Sequence, residues 1–428
     1  MIRFLKSLWA DRRGNALVIA AAALPVVVGA AGLATDTVQW AMWKRDIQRA
    51  ADSAAFAGVY ARVQGNSGMT AQQAVDLDLS THTTTGFNLL TNRTIGYPTG
   101  SGYTDAVQVT VAVQRRLGFS SLFLSQAPTI TATATAALFD SGSYCVVALS
   151  KTGSALTIGG SANVNMGCGA ISNSTDPTDS VGVNGNAHTF IATPVAGVGA
   201  ITDTINGSPD VRSYQLEMAD PYSGISTSVP SGVPCTNFNS HLVGGNGNGN
   251  NGGTPTLNPG CFTNFNAGNG TYQLNPGVYY LNNTDLNLNG QTRLVGTGVT
   301  IVLTGTSPGS VTMNGNSSLA LSAPTDANCG TFSGTNSCDY KNMLIIQSPN
   351  ATSGNNNVIN GDNNSSYDGA IYFPKGDVQF TGSSAGATRC AMVVALTVEF
   401  TGNTNLQNTT TGCTAATQVS GRRVRLIA

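Results

Sequence analysis

The chain has 428 residues, a formal net charge of −1 and only 10% charged residues, against about 25% in an ordinary soluble domain. Near-neutrality gives no electrostatic footprint for nucleic acid, and 41% hydrophobic residues in short alternating runs argue against a disordered chain. The length allows about three domains. Residues 1–13 form a short tail with Arg3, Lys6, Arg12 and Arg13, which the positive-inside rule places in the cytoplasm. Gly14 to Thr35 is uncharged and as a helix spans about 33 Å, enough for a hydrocarbon core of about 30 Å. A cleavable leader with "GLA" (Gly32–Ala34) as its site is the alternative, but the run exceeds an ordinary leader core. Pro25 predicts a kink. From Asp36 to Val63 helical spacing continues, with Trp40, Trp43, Ile47, Ala50 or Ala51, Ala54 and Gly58 on one side. Ala50, Ala54 and Gly58 make a row of small residues that can admit a partner helix or pack on the helix's own domain.

Arg13-Gly14-Asn15, the Ala/Val-rich span, Asp36 and "DIQRAADSAAFAG" (Asp46–Gly58) resemble the N-terminal region of TadE/TadG-like proteins of the tight-adherence (Tad, or Flp) pilus machinery. The run at Gln48–Ala55 is the most specific part. Over residues 12–140 the resemblance implies a single-pass inner-membrane anchor with a periplasmic body and pseudopilin-like partners. Peptidase-processed pilins carry Glu five residues after the processing Gly. Ile19 stands there, which implies the uncleaved, TadG-like branch. The Asp-x-Ser-x-Ser motif of relatives with a metal-binding domain is not matched by "DSGS" (Asp140–Ser143).

Residues 36–140 predict a pilin-like α+β segment. A helix is expected over 70–90, strands over Asp105–Gln114 and Thr129–Leu138, and a short apolar connector, "LGFSSLFLS" (Leu117–Ser125), between the strands. Beyond residue 140 one phrase recurs, apolar-x-apolar followed by a polar residue or Gly, Gly and a small polar residue. Its second Gly falls at 160, 185, 290, 315, 361, 382 and 402, and Asn357 occupies the first apolar slot of one copy. Spacings of 20–25 residues, one of 46 that equals two turns of 23, and one interruption of 105 predict a mainly β right-handed parallel β-helix over 141–428, with a β-sandwich as the alternative. Gly supplies the positive-φ corner, corner Asn residues can form ladders, and the interruption reads as an insertion. "GGNGNGNNGG" near 244–253 reads as a loop, and "GRRVRLIA" (421–428) as a last strand. "CVVALSKTGSALTIGGSANVNMGCGAISNS" (Cys145–Ser174) and "LNPGVYY" (Leu274–Tyr280) are similar to the domain behind TadG-type anchors.

Eight cysteines, Cys145, Cys168, Cys235, Cys261, Cys329, Cys338, Cys390 and Cys413, all follow residue 140 without a CxxC or Cys/His cluster. This points to disulfides in an exported domain rather than zinc. Of 105 possible connectivities, pairing in chain order suits stacked circuits. Since many β-helices cleave polysaccharides, Asp362, Asp368 and Asp377 with Lys375 are the candidate acids. The bland reading makes them loop-tip solvating groups. The segment 360–369 lacks the acidic spacing of a calcium loop, and His82, His188 and His241 have no sequence partners. No cofactor or metal is expected, and catalysis is not. Two functions follow: a non-catalytic β-helix displayed by a pilus-assembly or surface-adhesion component, or an anchored β-helix that binds or cleaves polysaccharide.

Overall fold

The computed structural model describes residues 13–427 apart from 65–67, 83–85, 186–187, 240–253, 330, 333–334, 361–363, 382–385, 412 and 414–416. The loop near 244–253, His241, Asp362 and the corners Gly361 and Gly382 thus lie outside the described residues. An N-terminal apolar helix is followed by a mostly β domain. The chain divides into two units, Met1–Asp140 with Arg423–Ala428, and Ser141–Arg422.

In the first unit α1 (Arg13–Gln64) is one helix of 52 residues that runs through Pro25. α2 (Ala71–Thr81) begins at a capping box, with the Thr70 side chain accepting from the Gln73 amide and the Gln73 side chain accepting from the Thr70 amide. It stops well short of residue 90, because Thr81, Thr83–Thr85 and Gly86 are weak helix formers. Strands β1 (Arg93–Gly96), β2 (Thr104–Gln114) and the first part of β3 (Thr129–Ala148) pair antiparallel, and the strand Val419–Ile427 brings Val424 against the same core. Alternation sets the faces. Val107, Val109, Val111 and Val113 of β2, and Ile130, Ala132, Ala134 and Ala136 of β3, are buried against α1. On the other face Thr110 and Thr133 hydroxyls lie 3.0 Å apart, and Gln108 donates to Thr135 at 3.0 Å.

The second unit is built from parallel ladders. Along the first, Gly277–Asn282 pairs with Val299–Thr304, Ile301–Leu303 with Ile345–Gln347, and Ala370–Phe373 with Met392–Ala395. A second ladder joins Leu286–Leu288 to Val311–Met313, and Val378–Phe380 to Val398–Phe400. A third joins Arg293–Thr297 to Ser318–Ser322. The apolar-x-apolar phrase supplies the second ladder. Its inward pairs, Leu286 and Leu288, Val378 and Phe380, Val398 and Phe400, Leu156 and Ile158, are all buried. The rings of Phe380 and Phe400 stack 5.2 Å apart. Asn357, buried in an apolar slot, is satisfied: it accepts from the Val311 amide at 2.9 Å and donates to Asn355 and Asp377 carbonyls.

The order of the ladders is not the order of the chain. Val393–Ala395 pairs with Val146–Ala148, Val398–Phe400 with Leu156–Ile158, and Asn405–Gln407 with Asn163–Asn165. The first strands after residue 140 therefore pair with the last ones. The long interruption in the repeat is the connection this requires. Val211–Arg212 is the last strand of the first group, paired with Val195–Ala196, and a strap over 213–234 leads to Cys235, which pairs with Cys261 at the other end of the first ladder. The strap is tied down on its way: Met218 exchanges two bonds with the Asn173 side chain at 2.8 and 2.9 Å, Tyr372 donates to Asp220 at 2.7 Å, and Tyr340 donates to the Ser226 carbonyl at 3.0 Å. Burial first, then Asp220, hold the Tyr372 hydroxyl far above the ordinary phenol range.

Candidate functional site

The candidate site is α1 and the unit folded around it. Val18, Ile19, Leu24 and Val26–Val28 are all exposed, and the helix is long and apolar enough to cross a membrane. Beyond Asp36 the helix changes character. Ile47, Ala50, Ala51, Ala54, Ala55 and Val59 turn inward, and polar side chains hook the flank to a strand. Gln48 donates to the Thr133 carbonyl at 2.9 Å and Lys44 to that of Thr131. Trp43 meets Phe87 edge-on at 5.5 Å, with the Arg115 guanidinium over its ring.

This corrects the partner-helix reading of Ala50, Ala54 and Gly58. Ala50 and Ala54 are fully buried within their own unit, and a Cβ placed on Gly58 would lie 2.8 Å from Val107 and 3.0 Å from Val75. The small residues are there because α2 and β2 come close, so the row has no free face to offer.

At the junction of the two parts of α1 lies a contact sequence reading missed. Asp36 is buried, only 3% exposed. Its carboxylate accepts from the Phe119 amide at 3.1 Å and from both the amide and hydroxyl of Ser120. The Ser120 hydroxyl bond, followed by the two amides, outweighs burial and holds the Asp36 carboxyl below its ordinary value. The 3₁₀ turn Ser120–Leu122 is thereby clamped to α1. The signal available in the sequence was a single acid at the end of an uncharged run.

The remaining candidates, where described, are held by hydrogen bonds. Asp368 accepts from the Arg389 amide at 2.8 Å, Asp377 from the Thr397 hydroxyl at 2.8 Å, and Asp285 from the Ser310 amide at 2.7 Å, each bond reaching a neighbouring circuit. Asp368 and Asp377 sit in different ladders, and Lys375 is exposed. Among the described residues no group of three His, Cys, Asp or Glu could hold a metal. His188 is buried between the Gly185 carbonyl (3.1 Å) and the Asn206 amide (3.2 Å), which donates to Nε2. His82 pairs with Asp78 at 3.4 Å. The disulfides are Cys145–Cys168, Cys235–Cys261, Cys329–Cys338 and Cys390–Cys413.

Comparison with curated proteins and with solved structures gave no match. Residues 14–64, which are α1 without its first residue, match the family described as "Putative Flp pilus-assembly TadE/G-like", so the similarity to that family lies in this helix.

Proposed function

We propose that the protein is a single-pass membrane component of Tad/Flp pilus assembly, with residues 1–13 in the cytoplasm and everything beyond residue 35 periplasmic or at the surface. The observation that carries this reading is the coincidence of the family match with a helix long and apolar enough to cross a membrane. The orientation rests on the four basic residues before Gly14. The β domain is a right-handed parallel β-helix displayed without catalytic activity. Its ladders are parallel and repeat at the spacing of the Gly phrase, whereas sandwiches are built from antiparallel sheets. The candidate acids that are described bond to the next circuit rather than facing a common cleft. The partners are other pilus-assembly proteins and pseudopilin-like helices.

The test replaces residues 1–35 by a cleaved export leader, so that 36–428 is released soluble in the periplasm. Pilus yield is expected to fall to the level of the gene deletion. Normal piliation by the soluble form would overturn the assignment.

A further inference from the structure

Leu122, Phe123 and Leu124 form a run of exposed large apolar residues, at 74%, 75% and 50% exposure. A contiguous apolar patch of this kind on a small unit marks a surface that meets something else. Its position says what. The turn is held to α1 by Asp36, immediately beyond the uncharged span. Phe119 lies along that span: a Cβ on Gly32 would fall 2.4 Å from its ring, and one on Gly29 3.9 Å from it. Gly32 and Gly29 are four and seven residues before Asp36, so the ring sits about 6–10 Å below the carboxylate along the helix. Interfacial segments bury their apolar faces by about 5–10 Å. The Phe123 ring continues from that of Phe119, with centroids 5.3 Å apart. Exposed Arg115 and Arg116 precede the turn, residues of the type that meets lipid phosphates. Trp40, one helical turn beyond Asp36, is 40% exposed, as interfacial aromatics are. The clamp itself fits the place, since three donors satisfy the one carboxylate at the boundary and remove its need for water.

We propose that the Leu122–Leu124 turn is a second membrane contact, inserted in the interfacial layer of the bilayer that residues 14–35 cross. This rests on the reading of that helix as a membrane span. The turn would fix the rotation and depth of α1, because a helix with a side anchor can neither spin nor slide freely in lipid.

All eight cysteines are paired, so one added cysteine can be spin-labelled alone. The full chain is labelled separately at Phe123→Cys, Val27→Cys and Leu77→Cys and reconstituted in phosphatidylcholine/phosphatidylglycerol vesicles. Leu77 is 55% exposed on α2 and lies beside Ala57–Ala61 of α1, about 30–35 Å along the helix from Asp36. The ratio of collision rates with oxygen and with a water-soluble nickel complex is then read. It is expected to be several-fold higher at positions 123 and 27 than at 77. A water-like value at 123 with a lipid-like value at 27 overturns the second contact and leaves the span intact. Water-like values at both overturn the span and the contact with it. A label at 123 shielded from both reagents assigns the turn to a protein partner and also overturns the proposal.

Discussion

Asp36 shows how one residue can decide where an element ends its apolar part and begins its folded part. Its pKa is lowered in the folded chain, by the Ser120 hydroxyl first. The ionised form is therefore the one that holds the turn. Its contribution is fully present above the unfolded carboxyl pKa near 3.8 and is lost as pH falls through the lower folded value. Protection of the Phe119 and Ser120 amides, as exchange relative to the intrinsic rate, should accordingly stay constant from neutral pH down to the ordinary carboxyl range and be lost below it. Asp36→Ala should show fast exchange at all pH values. A wild-type turn that stays protected through the acid limb would show that Asp36 is not the clamp. The corner glycines make the opposite point, that a residue type can be right while its assigned role is displaced. Gly160, Gly185, Gly290 and Gly402 take positive φ, as the corner argument requires, but at Gly315 the left-handed residue is the next one, Asn316, with φ 77°. Asn tolerates that conformation, so the corner moved by one position. The Gly phrase showed where corners fall, and only backbone geometry showed which residue turns them.

At the scale of elements, legibility followed the length and regularity of the pattern. α1 and β2 were readable because apolar residues recur over several turns or pleats. β1, the four residues "RTIG", has too little alternation to stand out, and α2 was overextended because its stop is a run of Thr rather than a Gly or Pro. The inward face of α1 was visible as a small-residue row, yet nothing in one sequence says whether such a row meets a partner or its own sheet. The packing of Gly58 on Val107 and Val75 decides for the latter. Replacing Ala54 and Gly58 together by Leu should therefore overpack this core. Each added side chain costs about 1–3 kcal/mol, so the unit should lose several degrees or more of thermal stability, measured by circular dichroism on the full chain in detergent. If stability is unchanged and only piliation fails, the row belongs to a partner after all.

At the scale of the β domain, the repeat marked strands of one parallel ladder but not which strand neighbours which. The copies of the phrase, the one with Asn357 excepted, present alike apolar pairs to the core, so the phrase does not say which copy stacks on which. Chain order was the natural assumption and is wrong at one place, where Leu156 and Ile158 stack on Val398 and Phe400. What decides the order is the strap over 213–234, whose ties to Tyr340 and Tyr372 lie in circuits far from its own in sequence. The junction is polar as well as apolar. Buried Asn408 donates to the Met166 carbonyl at 3.0 Å while accepting from the Ala391 amide, also at 3.0 Å. The consequence is specific to this arrangement. In a stack that follows the chain, removing the first circuits merely shortens one end. Here, removing residues 141–212 uncovers the ladder of Val393, Val394, Val398 and Phe400 and leaves the Asn408 side chain without its Met166 partner. A fragment of residues 213–422 keeps three of the four disulfides, so any loss cannot be laid to those bridges. Exposing buried side chains of this size costs up to about 1.5–3 kcal/mol each. The fragment should therefore melt well below residues 141–422 in the same buffer, bind a hydrophobic dye, and regain its midpoint when residues 141–212 are supplied as a separate chain. Equal melting midpoints for the two, with no dye binding, would mean that the first circuits do not rest on the last.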